Sequence, residues 1–195
     1  MKALIATTNP NKVREIRPLL AGLAIDLVTL ADIAPIDEPD EDAPTFWQNA
    51  RIKALAYAAG SGLVSIAEDS GLEVDGMNGE PGVWSARFLG ADTSYPDRFV
   101  EIFRRLEGKT RAARFVTALA VARGNTILFE TETSVAGEIA PAASGAHGFG
   151  YDPIFYYPPF NQTTAELPDE AKAVISHRAR AFRDLRRWLR TQPLR

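Results

Sequence analysis

The sequence predicts an α/β protein built on a mixed β-sheet flanked by helices. Short apolar runs bounded by turn residues alternate with segments whose apolar residues recur every three to four positions. One pair of strand-like runs is joined by only Gly124-Asn125, so a hairpin interrupts an otherwise βα-alternating order. With 195 residues, 46% of them hydrophobic, the chain suffices for one domain, or two small lobes sharing a core.

Leu4 to Thr7 reads as a short buried strand, followed by the polar turn Thr8-Asn9-Pro10-Asn11-Lys12. Val13 to Leu20 has the spacing of a helix, with Val13, Ile16 and Leu20 on one face and Gly22 as its stop. The acidic, proline-rich stretch to Pro44 reads as a loop with a short strand around Ile25 to Leu30. Thr45 and Gln48 match a capping box opening a helix to about Ala59, which Gly60-Ser61-Gly62 ends. Leu63 to Ala67 is the next strand, and Leu72 to Phe88 is rich in turns. Ser94 caps a helix with Phe99, Ile102, Phe103 and Leu106 inside and Gly108 at its end. Phe115 to Arg123 and Thr126 to Val135 form the hairpin, and Gly145 to Tyr151 is a glycine-spaced loop. Phe182, Leu185, Trp188 and Leu189 make the apolar stripe of a final helix from about Ala179 to Leu189.

Composition excludes several chemistries. With no cysteine there are no disulfides, thiolate zinc sites, iron–sulfur clusters or cysteine nucleophiles. With only His147 and His177, a multi-histidine metal site is out as well, so any metal must be held by oxygens, as Mg²⁺ or Mn²⁺ would be. No run approaches the roughly 18 to 20 apolar residues of a membrane span, and no leader is evident, which makes the cytoplasm the expected compartment. A net charge of -3, and an apolar stripe that must pack inward, argue against a nucleic-acid partner for the six arginines between Arg178 and Arg190.

Five segments are candidates for chemistry. Thr7 to Lys12, between strand and helix, offers hydroxyls, amides, free backbone N–H groups, a helix dipole and a lysine to a phosphate. The alternative is a turn with an N-cap. Glu68-Asp69-Ser70-Gly71 follows an apolar strand, where α/β sheets place ligands; adjacent carboxylates call for a cation or a basic partner, and Glu41 could add a third oxygen. Solvated turns give the same pattern. Asn49 and Lys53, at i and i+4, share one helix face that points either into a cleft or to water. Gly148-Phe149-Gly150-Tyr151-Asp152 sets a flat ring and a carboxylate between glycines, suited to a nucleobase or to plugging the core. On one continuous helix Lys172 and Arg178 would lie about 240° apart. If Ser176 caps the last helix, His177 and Arg178 fall in its first turn, where cations are unfavourable unless an anion is near.

Taken in order, these strings resemble the inosine triphosphate pyrophosphatase family, the non-standard purine nucleoside triphosphate pyrophosphatases. The resemblance rests on Thr7 to Lys12, Glu41 through Phe46 to Asn49-Ala50 and Lys53-Ala54, and Glu68 to Leu72. It continues through Pro81 to Phe88, Gly148 to Phe155, Thr164-Ala165-Glu166-Leu167 and Lys172 to Arg178, collinear over essentially the whole chain. Two positions depart from the family pattern: Thr8 stands where a glycine is usual, and Glu68-Asp69 where Asp-Asp is common.

The resemblance implies an elongated mixed sheet with two lobes around a central nucleotide-binding cleft, residues 1–195 forming a single domain. It implies a Mg²⁺-dependent, usually homodimeric enzyme that hydrolyses ITP, dITP and XTP to the monophosphate and pyrophosphate, cleansing the nucleotide pool. By the same analogy Asp69 is the proton acceptor, with Glu41 and Glu68 beside it at the metal. Thr7, Thr8, Asn9, Pro10, Asn11, Lys12 and Lys53 hold the phosphates. Ser70, Phe149, Gly150, Tyr151, Asp152, Lys172, His177 and Arg178 contact the nucleotide, with Phe149 stacked on the base. Two other readings compete: a pyrophosphatase for pyrimidine or modified nucleotides, and a non-catalytic nucleotide sensor.

Overall fold

A computed structural model describes residues 2–192. Seven strands make one sheet in the order β2-β1-β3-β4-β5-β6-β7. They are β1 Lys2–Ile5, β2 Asp26–Thr29, β3 Val64–Val74, β4 Ala112–Arg123, β5 Thr126–Ile139, β6 Phe155–Tyr157 and β7 Gln162–Thr163. The sheet is mixed, as expected: β1 runs parallel to β2 and β3, with Leu4 opposite Val28 and Ser65, while β6 is antiparallel to β5 and β7. The two-residue connection Gly124-Asn125 leaves β4 and β5 no option but a hairpin.

Five helices accompany the strands: α1 Pro10–Leu19, α2 Phe46–Ser61, α3 Tyr95–Arg105, α4 Asp169–Ile175 and α5 His177–Thr191. Local chemistry sets their ends. The Asn9 side chain caps α1, and Pro10 at the first position needs no hydrogen-bond acceptor, so α1 starts three residues before the expected Val13. Thr45 accepts from the Gln48 N–H to open α2, and Gly62 at φ 68° closes it. Ser94 opens α3 in the same way. Ser176, extended at φ -62° and ψ 151°, separates α4 from α5.

The main departure from expectation is β3. It does not stop at Ala67 but continues to Val74, so Glu68 to Gly71 lie within a strand rather than in a turn after it. The apolar residues Leu72 and Val74 re-enter a core and carry the pairing past the polar stretch. Beyond Tyr151 the short strands β6 and β7 and two 3-10 turns, Asp152–Ile154 and Pro158–Phe160, were not visible in the periodicity because each is three residues or fewer.

The chain divides into two compact units. The first holds the residues up to Asp69, Thr117–Thr133 and those from Arg178 onward. Its core joins Ile16 of α1 and Leu20 just after it, Val64 and Ile66 of β3, Leu119 and Val121 of β4, and Phe182, Leu185 and Leu189 of α5. The second holds Ser70–Val116 and Ser134–His177. Its core is built from Leu72, Val74, Phe99, Ile102, Leu106, Phe115, Ile139, Ile154 and Phe155. Burying such side chains contributes roughly 1.5–3 kcal/mol each, so each unit has the apolar material of its own core.

Candidate active site

In the first unit, strand periodicity decides what the two neighbouring carboxylates do. Successive side chains of β3 point to opposite faces, so Glu68 shares a face with Val64 and Ile66, and Asp69 lies on the other. Glu68 is 1% exposed. The Arg178 Nε donates to both of its oxygens at 3.0 and 2.9 Å, Arg178 Nη2 adds a bond of 2.7 Å, and Lys12 Nζ lies 3.3 Å from Oε1. Arg178 Nη1 also donates to Glu15 Oε2 at 2.5 Å. Burial acts to lower the Arg178 pKa, but Glu68 and Glu15 outweigh it and raise it, so the guanidinium is permanently charged.

The anion that cations at the start of α5 call for is therefore supplied by the protein's own Glu68 and Glu15. Of the cation or basic partner that the acidic neighbours call for, Glu68 has the basic partner: Arg178 and Lys12 meet it on its own face. Lys12, on α1, has its pKa lowered by burial, with Lys53 and Arg178 adding to the effect and Glu68 opposing it.

On the other face Asp69 meets α2. Asn49 Nδ2 donates to Asp69 Oδ2 at 3.1 Å, and one helical turn on, Lys53 Nζ donates to the Glu68 carbonyl at 3.0 Å. Lys53 also forms a close ion pair with Glu41 of the acidic loop. The shared face of Asn49 and Lys53 thus points at β3 and the loop, not to water. Asp69 is 8% exposed, and burial pushes its carboxyl above the ordinary range. Lys53, Lys12 and the Asn49 amide pull it back down, while Glu41 adds to the rise.

The turn before α1 also differs from expectation. Asn9 Oδ1 accepts the Asn11 and Lys12 N–H groups at 2.9 and 3.4 Å, and Thr7 Oγ1 accepts the Asn9 N–H at 3.2 Å. Pro10 has no N–H. The first helical donors are capped from within, so what this turn presents is the helix dipole, Lys12 and the side chains of Thr8 and Asn11. Thr8 Oγ1 donates to Glu38 Oε1 at 3.3 Å.

In the second unit the Asp152 carboxylate organises the glycine loop. Lys172 Nζ donates to Oδ2 at 2.6 Å, the Phe149 N–H to Oδ2 at 2.7 Å, and Thr164 Oγ1 to Oδ1 at 2.8 Å. The Lys172 ammonium stands 5.1 Å from the Phe149 ring centroid. Gly148, at φ 73°, is required here, because a Cβ would meet Asp152 Oδ2 at 2.2 Å and Lys172 Nζ at 3.0 Å. Tyr151 is a core residue: it packs edge-on against Tyr95 at 5.2 Å, its hydroxyl donates to the Ser85 carbonyl at 2.8 Å, and burial raises its pKa. The Phe115 ring stacks on His177 at 4.8 Å and 21°. Ser70 lies half-buried in β3, and Gly150 takes φ 67° beside Tyr95.

Each unit therefore gathers its share of the expected residues: Thr7 to Lys12, Glu41, Lys53, Glu68, Asp69 and Arg178 in the first, Ser70, Phe149 to Asp152, Lys172 and His177 in the second. Among the described residues, no group of three or more histidine and acidic side chains is arranged to hold a metal ion. Two residues escaped the sequence reading of the site, Glu15 and Thr164. The i, i+4 spacing singled out Asn49, and Thr164 stood in a family-like string, but only the fold connects either to its carboxylate.

Comparison with known proteins adds identity to this geometry. A model of the Ham1 family matches residues 3–188. The chain is 42% identical over 186 residues to a dITP/XTP pyrophosphatase of Exiguobacterium sp., covering 95% of each chain. It is 46% identical over 187 residues to a dITP/XTP pyrophosphatase of Thermus thermophilus, covering 95% of this chain and 90% of the relative. Among solved structures, a HAM1 protein of Coxiella burnetii matches with a TM-score of 0.91 at 33% identity, over 98% of this chain and 99% of that one.

Proposed function

Since the chain belongs to the Ham1 family, we propose that it is a nucleoside triphosphate pyrophosphatase hydrolysing dITP, XTP and ITP to the monophosphate and pyrophosphate. The observation that carries the reading is 42–46% identity, over nearly the whole chain, to relatives named for that activity. Residues of the first unit are assigned to the phosphates and residues of the second to the base.

Asp69 is the proton acceptor. Its carboxyl is raised by burial, hence a better base than an exposed aspartate, and the Asn49 amide fixes its orientation. Water attacks the α-phosphorus: its oxygen forms the new P–O bond, its proton passes to Asp69, and the α,β-bridging bond breaks to release pyrophosphate. Lys12 and Lys53 place ammonium charge where the leaving group becomes more negative. The oxygen-only chemistry of Asp69 and Glu41, and the unfavourable charge these two impose on each other, fit a hard divalent cation. Magnesium held by them would neutralise phosphate charge and acidify a bound water. Glu68 serves instead to anchor Arg178 and Lys12.

In the second unit the Phe149 ring offers a stacking face, and Lys172 and His177 offer donors to the 6-keto oxygen of hypoxanthine or xanthine. A 6-amino group would leave them unpaired. Arg178 is assigned no base contact here, because its guanidinium is held by Glu68 and Glu15. Among the described residues no helix is long and apolar enough to cross a membrane. A cytoplasmic homodimer is the state the family resemblance implies, and sedimentation of the purified chain checks the stoichiometry.

The test is pyrophosphate release from ITP, dITP, XTP, ATP, GTP, dTTP and UTP with Mg²⁺. The first three are expected to be turned over far faster than the rest. Comparable rates with dTTP or UTP would favour the pyrimidine reading, and no Mg²⁺-dependent turnover the sensor. Asp69→Asn is expected to lose about 10²–10⁴-fold in kcat while still binding nucleotide. Full activity in that variant removes Asp69 from its role.

A further inference from the structure

We propose that Asn49 is a positioning residue for the reaction, locking the Asp69 carboxylate and the acidic loop at Ala43 into one register. The proposal rests on the reading of Asp69 as proton acceptor.

Asn49 is 1% exposed, and an amide so buried is costly unless its polar atoms are paired. They are paired in a specific way. Its Oδ1 accepts the Ala43 N–H at 3.0 Å, and its Nδ2 donates to the Ala43 carbonyl at 3.3 Å, so both polar groups of one loop residue are held. The same Nδ2 donates to Asp69 Oδ2. One helical turn later Lys53 repeats the pattern, holding the Glu68 carbonyl on β3 and the Glu41 carboxylate on the loop. One face of α2 thus clasps the loop at residues 41 and 43 and the strand at residues 68 and 69. A hydrogen bond to Oδ2 fixes the carboxylate plane, and with it the direction of the other oxygen. A side chain needed only for loop packing would not aim its donor at a carboxylate. Asn49 acts through Asp69 and is assigned no contact with substrate.

Two substitutions separate the halves of the clasp. Asn49→Ala removes both. It is expected to lower kcat for ITP about ten- to hundredfold, the worth of a hydrogen bond to a charged group, with KM changed less than about threefold. Hydrogen exchange at the Ala43 amide should accelerate in the same variant. Asn49→Asp keeps an oxygen for the Ala43 N–H but replaces the donor shared by Asp69 and the Ala43 carbonyl by an acceptor. Its Ala43 exchange should stay near the parent rate while kcat falls at least as far as in Asn49→Ala. In an Asp69→Asn background, Asn49→Ala should cost little further kcat, because the group it positions is gone.

The proposal is overturned if folded Asn49→Ala keeps kcat within about twofold of the parent, or if its loss lies wholly in KM. It is also overturned if the two substitutions lower kcat additively, or if Asn49→Asp is fully active. Should Asn49→Ala fail to fold, Asn49→Ser carries the same measurements. Failure of the underlying reading looks different: there Asp69→Asn itself remains active.

Discussion

Asp69 in the first unit and Asp152 in the second are both nearly inaccessible aspartates, 8% and 3% exposed, yet their surroundings differ in kind. Asp152 receives an ammonium, a hydroxyl and a backbone N–H on its two oxygens. Asp69 has its carboxyl raised by burial; Lys53, Lys12 and the Asn49 amide oppose that rise and Glu41 adds to it. Burial disfavours the charged form of a carboxylate and so favours its taking up a proton, as it does at Asp69. The Asp152 arrangement shapes a loop; the Asp69 arrangement suits the base we propose it to be. On that proposal the same side chain serves architecture in one unit and chemistry in the other, and charge-neutralising substitutions should tell them apart.

The largest effect is expected where the carboxylate is architectural. Asp152→Asn leaves the Lys172 ammonium, itself 5% exposed, without its counter-charge. Breaking a buried pair in this way costs on the order of 3 kcal/mol, and chemical denaturation should show a drop of about that size in unfolding free energy. Stability equal to the parent would mean that Asp152 is not the anchor of this loop.

This contrast was only partly legible in the sequence. The break at Ser176, the caps at Thr45 and Ser94, and the Gly124-Asn125 hairpin are local events, decided by side chains within a few residues of the backbone groups they satisfy. A candidate residue set for the site was legible because collinear strings resembled a family. Its wiring was not. Glu68 and Asp69 look like a pair in one dimension, and only the alternation of a strand running on to Val74 sends them to opposite faces. Arg178 calls for an anion at the start of α5, but that Glu68 and Glu15 supply carboxylates to it was not legible, because they stand 110 and 163 residues away in the chain. Long-range pairing of this sort has no local signature.

A smaller effect sharpens the architectural half of the comparison. Thr164 Oγ1 donates to Asp152 Oδ1 at 2.8 Å and lies 3.2 Å from the Asp152 carbonyl oxygen. Thr164→Val keeps the shape and removes the hydroxyl. A loss of about 1 kcal/mol in unfolding free energy is expected, up to about 3 if the Asp152 oxygen finds no other donor. An unchanged value would show that Lys172 and the Phe149 N–H hold Asp152 without help.

The smallest change is expected at Asp69, and its sign is reversed. Burial raises the Asp69 pKa in the folded chain, so folding disfavours its ionised form. The folded state therefore has full stability below the unfolded-state pKa of about 3.9, and loses part of it as pH rises through the higher folded value. Asp69→Asn removes the charge at every pH. Measured without divalent cation, its Tm should exceed that of the parent at pH 7 and converge on it as the solution is acidified below about pH 4. A lower Tm at pH 7, or a gap independent of pH, would place Asp69 with Asp152 among the stabilising carboxylates. A gain in stability accompanied by lost turnover would instead mean that the fold tolerates a charge against its own stability, which is the expected mark of a residue retained for its chemistry.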